Sequence, residues 1–179
     1  MKFKLIGVFG IFLVAFATLI GCDGCTSKKK NVAVKPQEYD SVMINAHRGQ
    51  TQYELTQIAE YAKKNNWPVQ LTGTGISYWI YQAGKGALAQ NGQTAYIKYE
   101  VSLLDGTVCY KGGSNGGAAF KIGHDHVESG LHEAILLLHV GDKAKVILPS
   151  YRAFGVTGDN DKIPSNASVV YDIELLKLD

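Results

Sequence analysis

Ser168-Val169-Val170-Tyr171-Asp172-Ile173-Glu174-Leu175-Leu176-Lys177-Leu178 is the stretch on which the fold turns. Val169, Tyr171, Ile173 and Leu175 fall on one face at a period of two, the pattern of a sheet strand with one buried face. Two loop pieces precede it. Ala153-Phe154-Gly155 follows Pro149-Ser150, and Ile163-Pro164 follows a polar run. Each sets an apolar side chain beside a residue that restricts or frees the backbone, Phe154 before Gly155 and Ile163 before Pro164. Together they imply an apolar pocket over a curved sheet.

Working towards the N-terminus, Ala144, Val146 and Leu148 open another strand. Val127, Leu131, Ala134, Ile135 and Leu138 mark one helix face that closes at His139-Val140-Gly141. Ala118 to Ile122 reads as a short strand. Gly112 to Gly117 holds four glycines in six residues and reads as a mobile loop. Leu104-Asp105-Gly106-Thr107 is a hairpin turn signal. It joins Val108–Lys111 to a strand on which Ile97, Tyr99, Val101 and Leu103 share a face. Ile76, Tyr78 and Ile80 alternate with Ser77, Trp79 and Tyr81. The sum is one antiparallel sheet with one central helix, an α+β domain over residues 73–179.

Ahead of it, Thr51-Gln52-Tyr53-Glu54 has capping-box spacing. Leu55, Ile58, Ala59 and Ala62 follow as an apolar stripe that ends near Asn65-Asn66. Residues 51–72 are therefore expected to form a helix and its connection. The stripe must pack on its own domain or on a second copy, and its own domain is the simpler expectation. Residues 22–50 carry Lys28-Lys29-Lys30 and Pro36 with no apolar period, and read as a flexible tether. The lysines fit a solvated linker, with contact to anionic headgroups as the alternative.

The first 21 residues begin with Lys2 and Lys4 and continue as an uncharged apolar run, Leu5 to Ile20. This is the form of a secretory signal, and the run is short for a membrane span. It ends Leu19-Ile20-Gly21-Cys22 and resembles a bacterial lipoprotein signal. That resemblance implies cleavage before Cys22 and lipid attached to it, and two or more acyl chains hold a protein stably on a bilayer. The alternative is an uncleaved anchor. Either places the rest in the cell envelope, facing the periplasm or the exterior. Cys25 falls in the tether and Cys109 in the domain, so no disulfide framework is present. A net charge of +2 is too balanced for a nucleic-acid binder.

The order of these pieces resembles the FKBP-type peptidyl-prolyl cis-trans isomerase domain. It runs through the strand with Tyr99, Asp105-Gly106-Thr107, Val127 to Gly130, Val140-Gly141, Lys145 to Pro149, Ala153-Phe154-Gly155, Ile163 to Ala167 and Val170 to Leu176. The layout, with its lipid signal, preceding helix and Tyr78-Trp79-Ile80-Tyr81 strand, is also similar to gliding-motility-associated isomerase lipoproteins of Bacteroidetes. The resemblance implies a curved antiparallel sheet wrapped on one short helix, preceded here by the N-terminal helix. It implies a proline pocket walled by Tyr99, Tyr171, Ile163 and Phe154. Val127, Leu131, Cys109, Tyr110 and Phe120 would contact substrate, and Glu128 would offer its backbone amide. The alternation independently turns Tyr99 and Tyr171 inward.

Set against the family's usual pattern, this chain departs at the pocket. Cys109 and Tyr110 stand where phenylalanine and aspartate are usual, and Phe154 replaces a tyrosine. Leu131 replaces a tryptophan, and Glu128 replaces an apolar residue. Loss of the aspartate and the loop hydroxyl would strip much of the polar edge, because Tyr110 carries no charge at neutral pH. Two readings follow: a lipid-anchored isomerase acting on proline-containing polypeptides, or an assembly subunit that holds extended chains without turnover. Neither needs a cofactor or a metal. His124 and His126 could share an ion, but surface histidines around a helix start account for them. For the anchor, labelled palmitate should enter the wild-type chain and not Cys22→Ser; equal labelling of the two would exclude Cys22 as the lipid site.

Overall fold

The computed structural model describes residues 36–113 and 117–179. The signal segment, Cys22, Cys25, the first part of the expected tether and the centre of the glycine loop lie outside them. Among the described residues the elements are α1 (Pro36–Lys64), β1 (Gln70–Leu71), β2 (Ser77–Gln82), β3 (Thr94–Leu103), β4 (Val108–Gly112), β5 (Ala118–Lys121), α2 (Ser129–Ile135), β6 (Lys143–Leu148) and β7 (Val169–Leu178). A single 3-10 turn, Ser150–Arg152, follows β6.

The strands form one seven-stranded antiparallel sheet in the order β1-β2-β6-β7-β3-β4, with β5 also on β3. Register breaks interrupt β2 at Ile80/Gln82 and β3 at Tyr96/Ile97 and Val101/Ser102. Such bulges bend a strand and increase its twist. They let β3 pair with β5 over its first half and β4 over its second, which opens a concave face. At the β3–β4 turn, Gly106 adopts φ 91° and Asp105 Oδ1 accepts the Thr107 N–H at 2.8 Å, as the Asp-Gly signal predicts.

The alternation of β7 is realised. Val169, Tyr171, Ile173 and Leu175 are all buried on the concave side, with Ile97, Val101, Ala144, Val146 and Leu148 beside them. Leu131, Ala134 and Ile135 of α2, and Leu138 just after it, close this core. The helix itself begins at Ser129, so Val127 and Glu128 belong to the loop that enters it. Gly130 permits the close fit: a Cβ there would lie 2.7 Å from Leu148 and 2.8 Å from the Arg152 carbonyl.

The convex face is covered as well. Ile58 and Ala62 of α1 pack on Ile147 and Val170, flanked by Tyr61, Trp67, Val69 and Leu104. The stripe therefore docks on its own domain, with one correction: Ala59 is exposed. The helix also starts at Pro36, inside the segment expected to be tether, so Thr51 to Glu54 lies mid-helix and is no cap. Glu54 instead is buried, and its carboxylate accepts the Ser150 N–H at 2.7 Å and the Ser150 Oγ–H at 2.8 Å. Gln50 Nε2 adds a third donor at 2.9 Å. The Ser150 amide opens the 3-10 turn, where no backbone acceptor serves it. The charge of Glu54 thus fastens α1 to the loop that carries Phe154.

Glu54→Ala leaves that buried amide unpaired and should lower the unfolding free energy by about 1–3 kcal/mol. Ile58→Ala should cost about 2–5 kcal/mol. Glu60→Ala, on the exposed side of α1, should stay within about 0.5 kcal/mol. Urea unfolding of the three variants checks this; equal behaviour of Glu54→Ala and Glu60→Ala would show that the helix is not held there.

Candidate functional site

A cavity of about 700 Å³ opens between the concave face and the start of α2. Tyr99 and Tyr171 are diagonal neighbours on paired strands, Tyr99 standing opposite Ile173 and Tyr171 opposite Val101, and their rings lie 6.3 Å apart at 45°. Gly112 on β4 makes room for the first, since a Cβ there would sit 2.6 Å from the Tyr99 ring. Phe120 on β5, Val127, Glu128 and Leu131 at the helix start, and Phe154 after the 3-10 turn complete most of the wall. Ile97, Val101, Ala118, Ala119, His126, Ala153, Tyr110 and Asp159 also line it.

One expected wall residue, Ile163, and one expected substrate contact, Cys109, are not among the side chains that line this cavity. Ile163 is 2 % exposed and Cys109 4 % exposed, and both belong to the same core cluster as the cavity residues Phe120, Leu131 and Tyr171. Ile163 anchors its loop: its N–H donates to Asp159 Oδ1 at 2.8 Å, and its carbonyl accepts the Asp159 N–H at 3.1 Å. Cys109 Sγ lies 3.8 Å from the Thr107 and Lys162 carbonyls. Burial, and then the charge of Asp159, push its thiol pKa up. His124 and His126 are exposed, and among the described residues no three His, Cys, Asp or Glu side chains gather as a metal site.

The polar edge is not missing; it is built from other elements. The Tyr110 hydroxyl donates to Asp159 Oδ2 and lies 3.3 Å from Asp161 Oδ2. Tyr110 rises from β4, while both aspartates sit in the loop after Gly155. The Tyr110 hydroxyl and the N–H groups of Asp161 and Ile163 hold the Asp159 carboxyl at about 2, against partial burial. The same bond, ahead of burial, pushes the Tyr110 phenol well above its ordinary range. Lys162 Nζ lies 4.8 Å from the Tyr110 ring centroid and donates to the Cys109 carbonyl at 3.1 Å.

A second pair of the same kind lies deeper. The Tyr171 hydroxyl donates to Glu128 Oε1 at 2.9 Å. Burial first, then the Glu128 charge and this bond, push the Tyr171 phenol far up. Glu128 is the residue before α2, and its own backbone N–H has no acceptor among the described residues. The cavity thus offers aromatic and aliphatic walls, one unpaired amide donor and two tyrosine–carboxylate pairs.

Asp159 is absent from the residues singled out by sequence. Asp159-Asn160-Asp161 carries a turn signal, since Asp and Asn bond their own backbone two residues on. Nothing local, however, connects that turn to Tyr110, forty-nine positions away.

The family model of the FKBP-type peptidyl-prolyl cis-trans isomerase matches residues 85–176. A probable FKBP-type isomerase, FkpA, of Neisseria meningitidis is 30 % identical over 79 % of this chain and 53 % of its own. FkpA of Escherichia coli is 30 % identical over 65 % of this chain and 42 % of its own. The chain therefore spans about half the length of these curated relatives. The crystal structure of a peptidyl-prolyl cis-trans isomerase from Pseudomonas syringae superposes with a TM-score of 0.62 at 25 % identity, over 73 % of this chain and 94 % of that one.

A carboxyl whose pKa is depressed by folding contributes stability that is complete above its ordinary value of 3.8 and is lost as pH falls towards about 2. A carbon-detected NMR titration should therefore find the Asp159 midpoint near 2. Tyr110→Phe should move it up towards the ordinary value; a midpoint unaffected by Tyr110→Phe would contradict the pairing.

Proposed function

The chain belongs to the FKBP-type peptidyl-prolyl cis-trans isomerase family, and from that premise we propose that it catalyses cis-trans exchange at proline bonds of secreted or envelope polypeptides. The observation that carries this is the cavity itself, with Tyr99, Phe120, Val127, Leu131, Phe154 and Tyr171 around it. Rotation about a peptide bond meets a barrier of roughly 18–20 kcal/mol because twisting breaks amide resonance. Cis and trans prolyl bonds are close in energy, yet exchange takes tens to hundreds of seconds. The twisted amide is less charge-separated than the planar one, so an apolar, water-excluding wall favours it. Each ~1.4 kcal/mol of that preference multiplies the rate tenfold.

Within this reading the proline ring packs against Tyr99 and Tyr171 over Leu131, and Glu128 N–H takes a substrate carbonyl. Phe154 offers contact but no hydrogen bond. Ile163 holds the Asp159 loop through its N–H and carbonyl. The polar edge passes to Tyr110 and Asp159, which supports turnover rather than passive holding. The Cys22 lipid would keep the domain at a membrane, the periplasm or cell exterior being its working side. A gliding-associated role has the support of layout alone.

The second reading, a holdase or assembly subunit on the same fold, is favoured by Phe154 in place of a hydroxyl donor. Proline-peptide exchange on the fragment from Pro36 separates the two. The isomerase reading expects acceleration, and Tyr171→Ala should reduce kcat/KM by about tenfold or more, which is about 1.4 kcal/mol of transition-state stabilisation. A folded fragment that accelerates no peptide even at high concentration would leave the holdase.

A further inference from the structure

The cavity carries charge of one sign. Glu128 and Asp159 both line it, and among the described residues no lysine or arginine does. Asp161 stands at the same rim, within 3.3 Å of the Tyr110 hydroxyl. Neither Glu128 nor Asp159 forms an ion pair among the described residues; their partners are tyrosine hydroxyls and, for Asp159, two backbone amides as well. A neutral donor holds a carboxylate in place without cancelling its charge. Lys162, which does not line the cavity, sits over the Tyr110 ring and is bonded to the Cys109 carbonyl. His126 is the other ionisable group on the lining besides the tyrosines.

We propose that Glu128 and Asp159 set substrate preference, so that the pocket selects prolines flanked by lysine or arginine and disfavours those flanked by acidic residues. The proposal rests on the polypeptide-binding reading of the cavity. A proline ring seated on the aromatic walls brings its neighbouring side chains past the helix start on one side and the Asp159 loop on the other. A cation there is attracted to fixed carboxylates across low-dielectric walls, which focus the field. An acidic neighbour meets the same field with opposite sign. Glu128 is placed by its bond to Tyr171, and Asp159 by Tyr110 and its own turn, so neither needs to reorganise when substrate enters. Burial of apolar surface supplies affinity for any proline segment, and the two carboxylates decide among segments.

The test uses the full chain in neutral detergent and peptides of the form Ala-Xaa-Pro-Phe, with lysine, leucine or glutamate at Xaa. A companion set places the charge after the proline. At low ionic strength, kcat/KM for the lysine peptide should exceed that for the glutamate peptide by about tenfold in at least one set, falling to about twofold near 1 M salt, where the Debye length is about 3 Å. Asp159→Asn retains an Oδ1 acceptor for the two loop amides, and Glu128→Gln retains an acceptor for Tyr171. Each should bring the ratio towards unity. Equal kcat/KM for lysine and glutamate in both sets, or a ratio unmoved by salt and by both variants, overturns the proposal while turnover itself upholds the isomerase reading. If no peptide is turned over, the same series is read as binding by chemical-shift perturbation. Tighter binding of lysine peptides then sustains the preference and ends the isomerase reading; indifference to charge ends the preference as well.

Discussion

The position of β7 between β3 and β6 governs everything else in this domain. Nine of its residues pair with β3 and six with β6, so its backbone has no open edge over most of its length. Its side chains divide between the two faces: Val169, Tyr171, Ile173 and Leu175 enter the main core, and Val170 enters the contact with α1. A strand buried on both faces cannot slip by one residue without sending charged Asp172 and Glu174 inward. That constraint fixes where Tyr171 meets Tyr99, and therefore where the cavity forms.

Around that fixed centre the pocket is assembled from loops that are tied down by charge. Asp159 holds its turn through two backbone amides and reaches Tyr110, while Glu128 reaches Tyr171 from the start of α2. In each pair a phenol donates to one carboxylate oxygen, so the hydroxyl and its acceptor are both satisfied at the edge of an apolar space. Buried Asp142 plays the corresponding part at the far side, accepting the backbone N–H groups of Gly84 and His139. Tyr110 and Glu128, where the resemblance implied an aspartate and an apolar residue, each find a hydrogen-bond partner on a different element.

The N-terminal helix is part of this arrangement. Ile58 and Ala62 cover Ile147 and Val170, which would otherwise present apolar surface on the convex face. Glu54 reaches past that contact to the first residue of the 3-10 turn, four positions before Phe154. Arg152 in the same turn pairs with Glu133 of α2. The loop bearing Phe154 is thus held from both faces of the sheet, by α1 on one side and α2 on the other.

The sequence by itself determined every strand but the two-residue β1, the Asp-Gly turn, the short helix and the inward faces of Tyr99 and Tyr171. Those features depend on period-two alternation, helical spacing and turn residues, which act over a few positions and leave their mark locally. It also carried the order of motifs on which the family rests. Only the tertiary structure decided that Glu54 binds Ser150 rather than capping its own helix, and that Ile163 and Cys109 are core residues outside the cavity lining. It alone placed Asp159 against Tyr110. Each of these depends on which distant groups a buried polar atom finds, and hydrogen bonds between residues 43 to 96 positions apart have no period to read.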